Sequence, residues 1–103
     1  MTARRLGYSA VALLKAIDNG ARYGLEMMVR TGLPSGTVYP TLGRLQKRRL
    51  VRARWESRAK ADAEARPRRR YYELTPEGEV ELSAAIADLR ALAGGGSLNP
   101  ANA

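Results

Sequence analysis

Ser35-Gly-Thr-Val-Tyr-Pro-Thr-Leu-Gly-Arg-Leu-Gln-Lys-Arg-Arg-Leu50 is a turn that runs into an amphipathic helix and ends in a burst of positive charge. Val38, Leu42 and Leu45 repeat at +4 and +3, the spacing of one buried helical face. Ser35 or Thr37 can cap the helix. Thr37 suits better, because Pro40 would then be the third helical residue, inside the first turn, where a missing N–H costs little. The helix is expected over about residues 37–49 and should stop near 48–50, since Arg49 would otherwise point at the core. Opposite the buried stripe lie Thr37, Pro40, Gly43, Arg44 and Lys47, with Tyr39, Thr41 and Arg48 at the edges and Ser35 in the turn leading in. Gly43 costs about 1 kcal/mol of helix propensity relative to Ala. On an exposed face that cost makes sense if something approaches the backbone closely.

Charge gives the helix its setting. Residues 44–70 hold 12 of the 18 Lys and Arg but only 3 of the 10 acids, a net of +9 against −1 for everything else. Clustering of this kind costs self-repulsion unless a polyanion meets it, and nucleic acid is the commonest. Arg44 can pair two N–H groups with a guanine edge, Thr and Pro can touch a thymine methyl, and Lys47 can neutralise a phosphate.

Upstream, Leu6, Ala10, Leu13, Leu14 and Ile17 share a helical face that Asn19-Gly20 terminates. Leu25, Met28 and Val29 give a second short helix, with its apolar face on those three residues and its end at Thr31-Gly32. Residues 21–23 could form a short strand before it. Downstream, residues 50–55 alternate, placing Val51, Ala53 and Trp55 on one side and Arg52 and Arg54 on the other, as a half-buried strand does. Trp55 is read as the core anchor of the hairpin. Residues 69–74 form the partner strand, on which Tyr71 and Tyr72 point to opposite faces, one to the core and one to an interface. Residues 56–68, charged and Ala-rich, are either a disordered loop or a short helix. Thr75-Pro76-Glu77 carries three helix-start signals, and that helix runs to about residue 93, where three glycines stop it.

Helix, helix, helix, strand, basic loop, strand, helix is the order of a winged helix-turn-helix, mainly α with a small β-hairpin. In that arrangement the third helix enters the major groove and the hairpin lies along the flanking backbone. Arg66, Arg68, Arg69 and Arg70, broken only by Pro67, read as a flexible phosphate-seeking arm. On this reading residues 1–74 form the DNA-binding unit, with a wing at about 51–74. Residues 75–93 form a dimerisation helix, and 94–103 a flexible tail.

Other functions find little footing. With no Cys and no His in the sequence, disulfides, thiolate sites and the usual nucleophile–base pairs are absent, so no enzyme is expected. Glu77, Glu79 and Glu81 fan around their helix instead of converging on a metal, and no cofactor is implied. Nothing approaches a membrane span or a secretory leader, so a cytoplasmic, nucleoid-associated location is expected.

Tyr23-Gly24-Leu25-Glu26, the 36–42 element Gly-Thr-x-Tyr-Pro-x-Leu, Leu45 to Val51, Trp55-Glu56 and the run from Arg68 through Tyr71-Tyr72-Glu73-Leu74-Thr75-Pro76-Glu77-Gly78 together resemble the PadR family of bacterial transcriptional regulators. The resemblance covers about residues 6–82. It implies a dimeric winged-helix repressor on double-stranded DNA, usually at a palindromic operator, with Tyr39 and its neighbours on the DNA. The wing loop of residues 57–67 is longer and richer in Ala than usual, and a single helix follows the wing, as in short-tailed members. A small-molecule effector stays open, with no residue pattern in its support. A phage or mobile-element architectural protein of excisionase type, or an RNA-binding basic winged helix, would carry a similar charge pattern.

The last helix points to a homodimer. Leu82, Ile86, Leu89 and Ala93 form one apolar stripe, and Val80, Ala84, Ala87 and Ala91 form another on nearly the opposite side. A small monomeric domain needs only one. A two-fold dimer would set the two third helices about one DNA turn apart, roughly 34 Å, and would call for a pseudo-palindromic site.

Overall fold

The structure is a computed structural model that describes residues 6–94. Its elements are α1 (Tyr8–Asp18), α2 (Gly24–Thr31), α3 (Ser35–Lys47), β1 (Val51–Trp55), α4 (Arg58–Ala63), β2 (Arg70–Leu74) and α5 (Pro76–Gly94). The tail expected after residue 94 lies outside the described residues. One core gathers Leu13, Leu14 and Ile17 of α1, Met27 of α2, Val38, Leu42 and Leu45 of α3, Leu50, Val51, and Leu82 of α5. The apolar stripes of α1 and α3 are therefore buried as their spacing predicts.

After α1, Gly20 takes φ 104, a left-handed conformation that suits glycine. The chain then runs extended beside β2. The Tyr72 N–H donates to the Arg22 carbonyl (2.8 Å), and Tyr23 bridges Tyr71. The short strand expected at 21–23 is thus a single bridge that ties the first helix to the hairpin.

α2 is turned the other way from expectation. Leu25 is 60% and Val29 77% exposed, whereas Gly24 and Met27 are buried and Met28 is half-buried. Residues 24, 27 and 28 obey helical spacing as well as 25, 28 and 29 do, and a contact decides between them. The ring of Tyr39 lies over Gly24, where a Cβ would overlap its hydroxyl and ring edge. Only the face without a side chain at 24 can meet α3.

α3 begins three residues earlier than the Thr37 cap predicts. Pro34 occupies the cap position, and its carbonyl accepts from the N–H groups of Thr37 and Val38, both at 2.9 Å. Pro40 is consequently the sixth helical residue, not the third. Its missing N–H would have gone to the carbonyl of Gly36, which sits at an exposed position where water can serve instead. The helix ends where expected. Arg49 adopts φ 61. The Arg49 N–H then bonds the Gln46 carbonyl (2.9 Å) and the Leu50 N–H the Leu45 carbonyl (3.0 Å), a Schellman closure with arginine in the place usually given to glycine.

β1 and β2 pair antiparallel from Val51↔Leu74 to Trp55↔Arg70. The inner face starts in the core at Val51 and leaves it toward the tip. Trp55 is therefore 54% exposed, and the expectation that it anchors the core is corrected. The strand outruns the helices that could cover it. Tyr71 and Tyr72 do take opposite faces, but neither is left for an interface: Tyr71 is buried, and Tyr72 packs half-buried against the core.

Within residues 56–68 the chain forms a short helix, α4, at Arg58–Ala63, and not a disordered loop. Ser57 caps α4 by accepting from the Lys60 N–H (3.2 Å), and Ala61 is buried. Ala65, at φ 53, closes the helix with a second Schellman pair, Ala65 N–H to the Asp62 carbonyl and Arg66 N–H to the Ala61 carbonyl.

Thr75 caps α5 through the Gly78 N–H (2.9 Å). It also joins the end of α3 to the start of α5. Its hydroxyl donates to the Arg49 carbonyl (2.7 Å) and its N–H to the Leu50 carbonyl (3.1 Å). A Cβ at Gly78 would collide with that same Leu50 oxygen, so α5 approaches the chain backbone as closely as glycine permits. Leu82 is buried in this core and Ile86 packs against it, whereas Leu89 is 54% and Leu92 73% exposed. Of the apolar stripe expected at a dimer interface, Leu82 is therefore already used inside the protomer, and the outer half of α5 carries the exposed residues Leu89, Leu92 and Ala93.

Candidate nucleic-acid interface

Burial of Val38, Leu42 and Leu45 fixes which side of α3 faces out. Ser35, Gly36, Tyr39, Pro40, Gly43, Arg44, Lys47 and Arg48 are exposed, and Thr37 is half-buried. Nothing would meet a Cβ at Gly36 or Gly43. The outward face is therefore smooth at its centre and cationic toward its end. No side chain caps its N-terminus, so the positive end of the helix dipole is uncovered.

Thr41 departs from expectation. It is 2% exposed and cannot lie at the edge of a groove-facing surface. Its hydroxyl accepts from Arg44 Nη2 (3.1 Å), so it braces the guanidinium one turn later. Tyr39, half exposed, rests on Gly24 at the first turn of α2 and so spans the two helices. The sequence offered a signal for this pairing, a Gly opening one helix and an aromatic near the start of the next, but no spacing rule joins them.

The wing is more ordered than a free arginine arm. Glu56 is buried, and both of its oxygens are met by Arg66, at 2.7 and 2.8 Å. The Tyr71 hydroxyl (2.8 Å) and the Arg69 N–H (3.2 Å) donate to the same carboxylate. Arg66 also pairs with Glu64 at 2.9 Å. It is thereby held inside the wing and is not available as a phosphate contact. The Arg66 hydrogen bonds, with those of Tyr71 and the Arg69 backbone, outweigh burial and hold the Glu56 carboxyl down at about 2. Arg66 is pushed above its ordinary range, chiefly by its bond to Glu56.

With Arg66 spent on Glu56, the next three arginines are placed by stacking. Arg68 donates through Nε to the Glu56 carbonyl (2.9 Å) and lies over Trp55, 5.7 Å from the ring centroid. Arg70 lies over the same indole at 5.1 Å. Arg69 sits 4.1 Å over Tyr23, whose ring meets Tyr71 edge-on. The feature missed at the sequence level is the buried carboxylate that organises them. Its one signal was an acid standing between Arg54 and Arg58 in a basic stretch, and nothing in the sequence joins it to Arg66 or Tyr71.

A depressed carboxyl pKa gives the wing lock a definite pH window. Its contribution is complete above the ordinary carboxyl value of 4.5 and is lost as the pH falls toward the folded value of about 2. Amide protection across residues 56–70, corrected for intrinsic exchange, should be flat from neutral pH down to about 4.5 and decline below it. In Glu56→Gln the same amides should be poorly protected at neutral pH and show no such decline. Full protection in that variant would mean the lock is dispensable.

Among the described residues no cluster of acids could hold a metal ion, and no helix is long and apolar enough to cross a membrane. The profile of the transcriptional regulator PadR-like family matches residues 13–84. No curated protein is significantly similar in sequence. Among solved structures, a PadR family transcription regulator from Clostridium difficile R20291 aligns with a TM-score of 0.74 at 24% identity, over 84% of this chain and 92% of that one. A PadR-like transcription factor from Bacteroides fragilis gives 0.70 at 24%, covering 82% of each chain. Bordetella bronchiseptica BpsR, whose DNA binding is regulated by 6-hydroxynicotinic acid, gives 0.71 at 21%, over 98% of this chain and 74% of that one. At these identities the structural likeness is one of fold.

Proposed function

This chain belongs to the PadR-like family of transcriptional regulators, and from that premise we propose that it is a sequence-specific repressor acting as a homodimer on a pseudo-palindromic operator. As a member of that family it is a DNA-binding transcription regulator and not an enzyme. One observation supports the finer reading: α3 leaves Pro40, Gly43, Arg44 and Lys47 exposed on its outward face, in a chain whose basic wing has its buried acid already paired from within. Arg68, Arg69 and Arg70 then meet phosphates, while Arg44, braced by Thr41, meets a base edge. Ser35, Thr37, Tyr39, Pro40 and Gly43 fill the groove, and Lys47 and Arg48 meet the flanking backbone. The exposed outer half of α5, with Leu89 and Ala93 joined by Leu92, supports the dimer.

The test is a duplex taken from immediately upstream of the protein's own gene. Binding should protect an inverted repeat. If a dimer engages about eight phosphates, affinity should fall by roughly 10³–10⁵ between 50 and 200 mM salt. A flat salt response, or equal affinity for an RNA duplex of the same sequence, would overturn the proposal.

A further inference from the structure

Trp55, the only tryptophan in the sequence, is 54% exposed at the end of the β1–β2 ladder. Tryptophan is an expensive residue to leave in water, since its large apolar face is worth most when covered. Two guanidiniums, those of Arg68 and Arg70, are gathered on the same indole. Holding two cations at one spot costs repulsion, which the π-face offsets in part. At the next residue, Glu56 is buried and its charge is balanced by Arg66, so it holds the wing together without offsetting Arg68 or Arg70. The result is a rigid apolar plate with a positively charged surround, standing clear of the core.

We propose that Trp55 is a DNA-contacting residue of the wing and enters the minor groove, with Arg68 and Arg70 as its flanking phosphate contacts. That groove is about 6 Å wide. Its walls are apolar deoxyribose and its rims are phosphate, so a half-exposed indole with two guanidiniums beside it matches it in both shape and charge. Trp55 thereby widens or unstacks the groove where the wing enters, and this makes the operator's deformability part of its recognition. The inference rests on the reading that the chain binds duplex DNA.

The single tryptophan is its own probe. The upstream duplex, labelled with fluorescein, reports binding by anisotropy, while acrylamide quenching of the indole reports the environment of Trp55. At saturation, quenching should drop severalfold. Trp55→Ala should weaken binding roughly 5- to 50-fold, the scale of one aromatic–nucleotide contact, and Trp55→Phe should recover most of it. Both variants should melt near the wild type. If anisotropy saturates while quenching of the wild-type indole stays unchanged, Trp55 is not on DNA and the proposal fails, although DNA binding stands. Emission that responds to protein concentration without DNA, and not to the duplex, would assign the ring to a second copy of the chain and equally overturn it. Anisotropy that never rises would overturn the DNA-binding reading and this inference with it.

Discussion

Gly78→Ala should melt well below the wild type, although alanine is the better helix former by about 1 kcal/mol. The added methyl would run into the carbonyl oxygen of Leu50. That oxygen belongs to the backbone and already accepts the Thr75 N–H, so it cannot rotate aside as a side chain would. Overpacking of this kind costs about 1–3 kcal/mol, sometimes more. At about 4–8 °C per kcal/mol for a domain this small, the midpoint should fall by roughly 5–20 °C. Gly43→Ala is the matched control, because nothing within 4 Å would meet its Cβ. It should hold or slightly raise the midpoint by thermal denaturation. If Gly78→Ala rises as Gly43→Ala does, α5 does not start as close to Leu50 as the structure has it.

The second large effect is expected from Leu89→Glu. Leu82 and Ile86 hold the first half of α5 to the core, so Leu89 is exposed in the protomer and its loss should not unfold it. In a dimer built on the outer half of α5, the new carboxylate would be buried without a partner, which association cannot tolerate. Sedimentation at micromolar concentration should then show monomers where the wild type shows dimers. Loss of the second DNA-binding unit removes its avidity, so operator affinity should drop by roughly 10²–10⁴. A wild-type protein that sediments as a monomer and still binds its site tightly would remove the dimer from the proposal.

The elements were legible where the physics is local. Val38, Leu42 and Leu45 are periodic, the end of α3 near Arg49 follows from where its side chain would point, and Thr75-Pro76-Glu77 opens α5 by capping chemistry. Contacts between elements were not legible. Leu25 and Val29 have the spacing of a buried face, yet Gly24 and Met27 take it because Tyr39 needs the space over Gly24. Trp55 alternates as a core residue should, but the strand outlasts the core. Thr41 projects close to the outward face and is buried as the brace of Arg44. The wing arginines read as loose because nothing in a charge count reveals that Glu56 is buried among them. On α3, the outward positions follow from periodicity, whereas what holds Tyr39 and Arg44 in place is tertiary.

The junction of Arg49, Leu50 and Thr75 has a consequence for gauge. Two hydrogen bonds and one glycine contact clamp the last turn of α3 to the first turn of α5. If α5 is also the shaft on which two protomers meet, each α3 is the jaw of a caliper whose opening is set at that clamp. Operator spacing would then be set by the junction of Arg49, Leu50, Thr75 and Gly78, through backbone contacts and not through base contacts. A stiff clamp accepts one spacing and rejects sites a base pair longer or shorter, whereas a slack one blurs that tolerance without altering a single base contact.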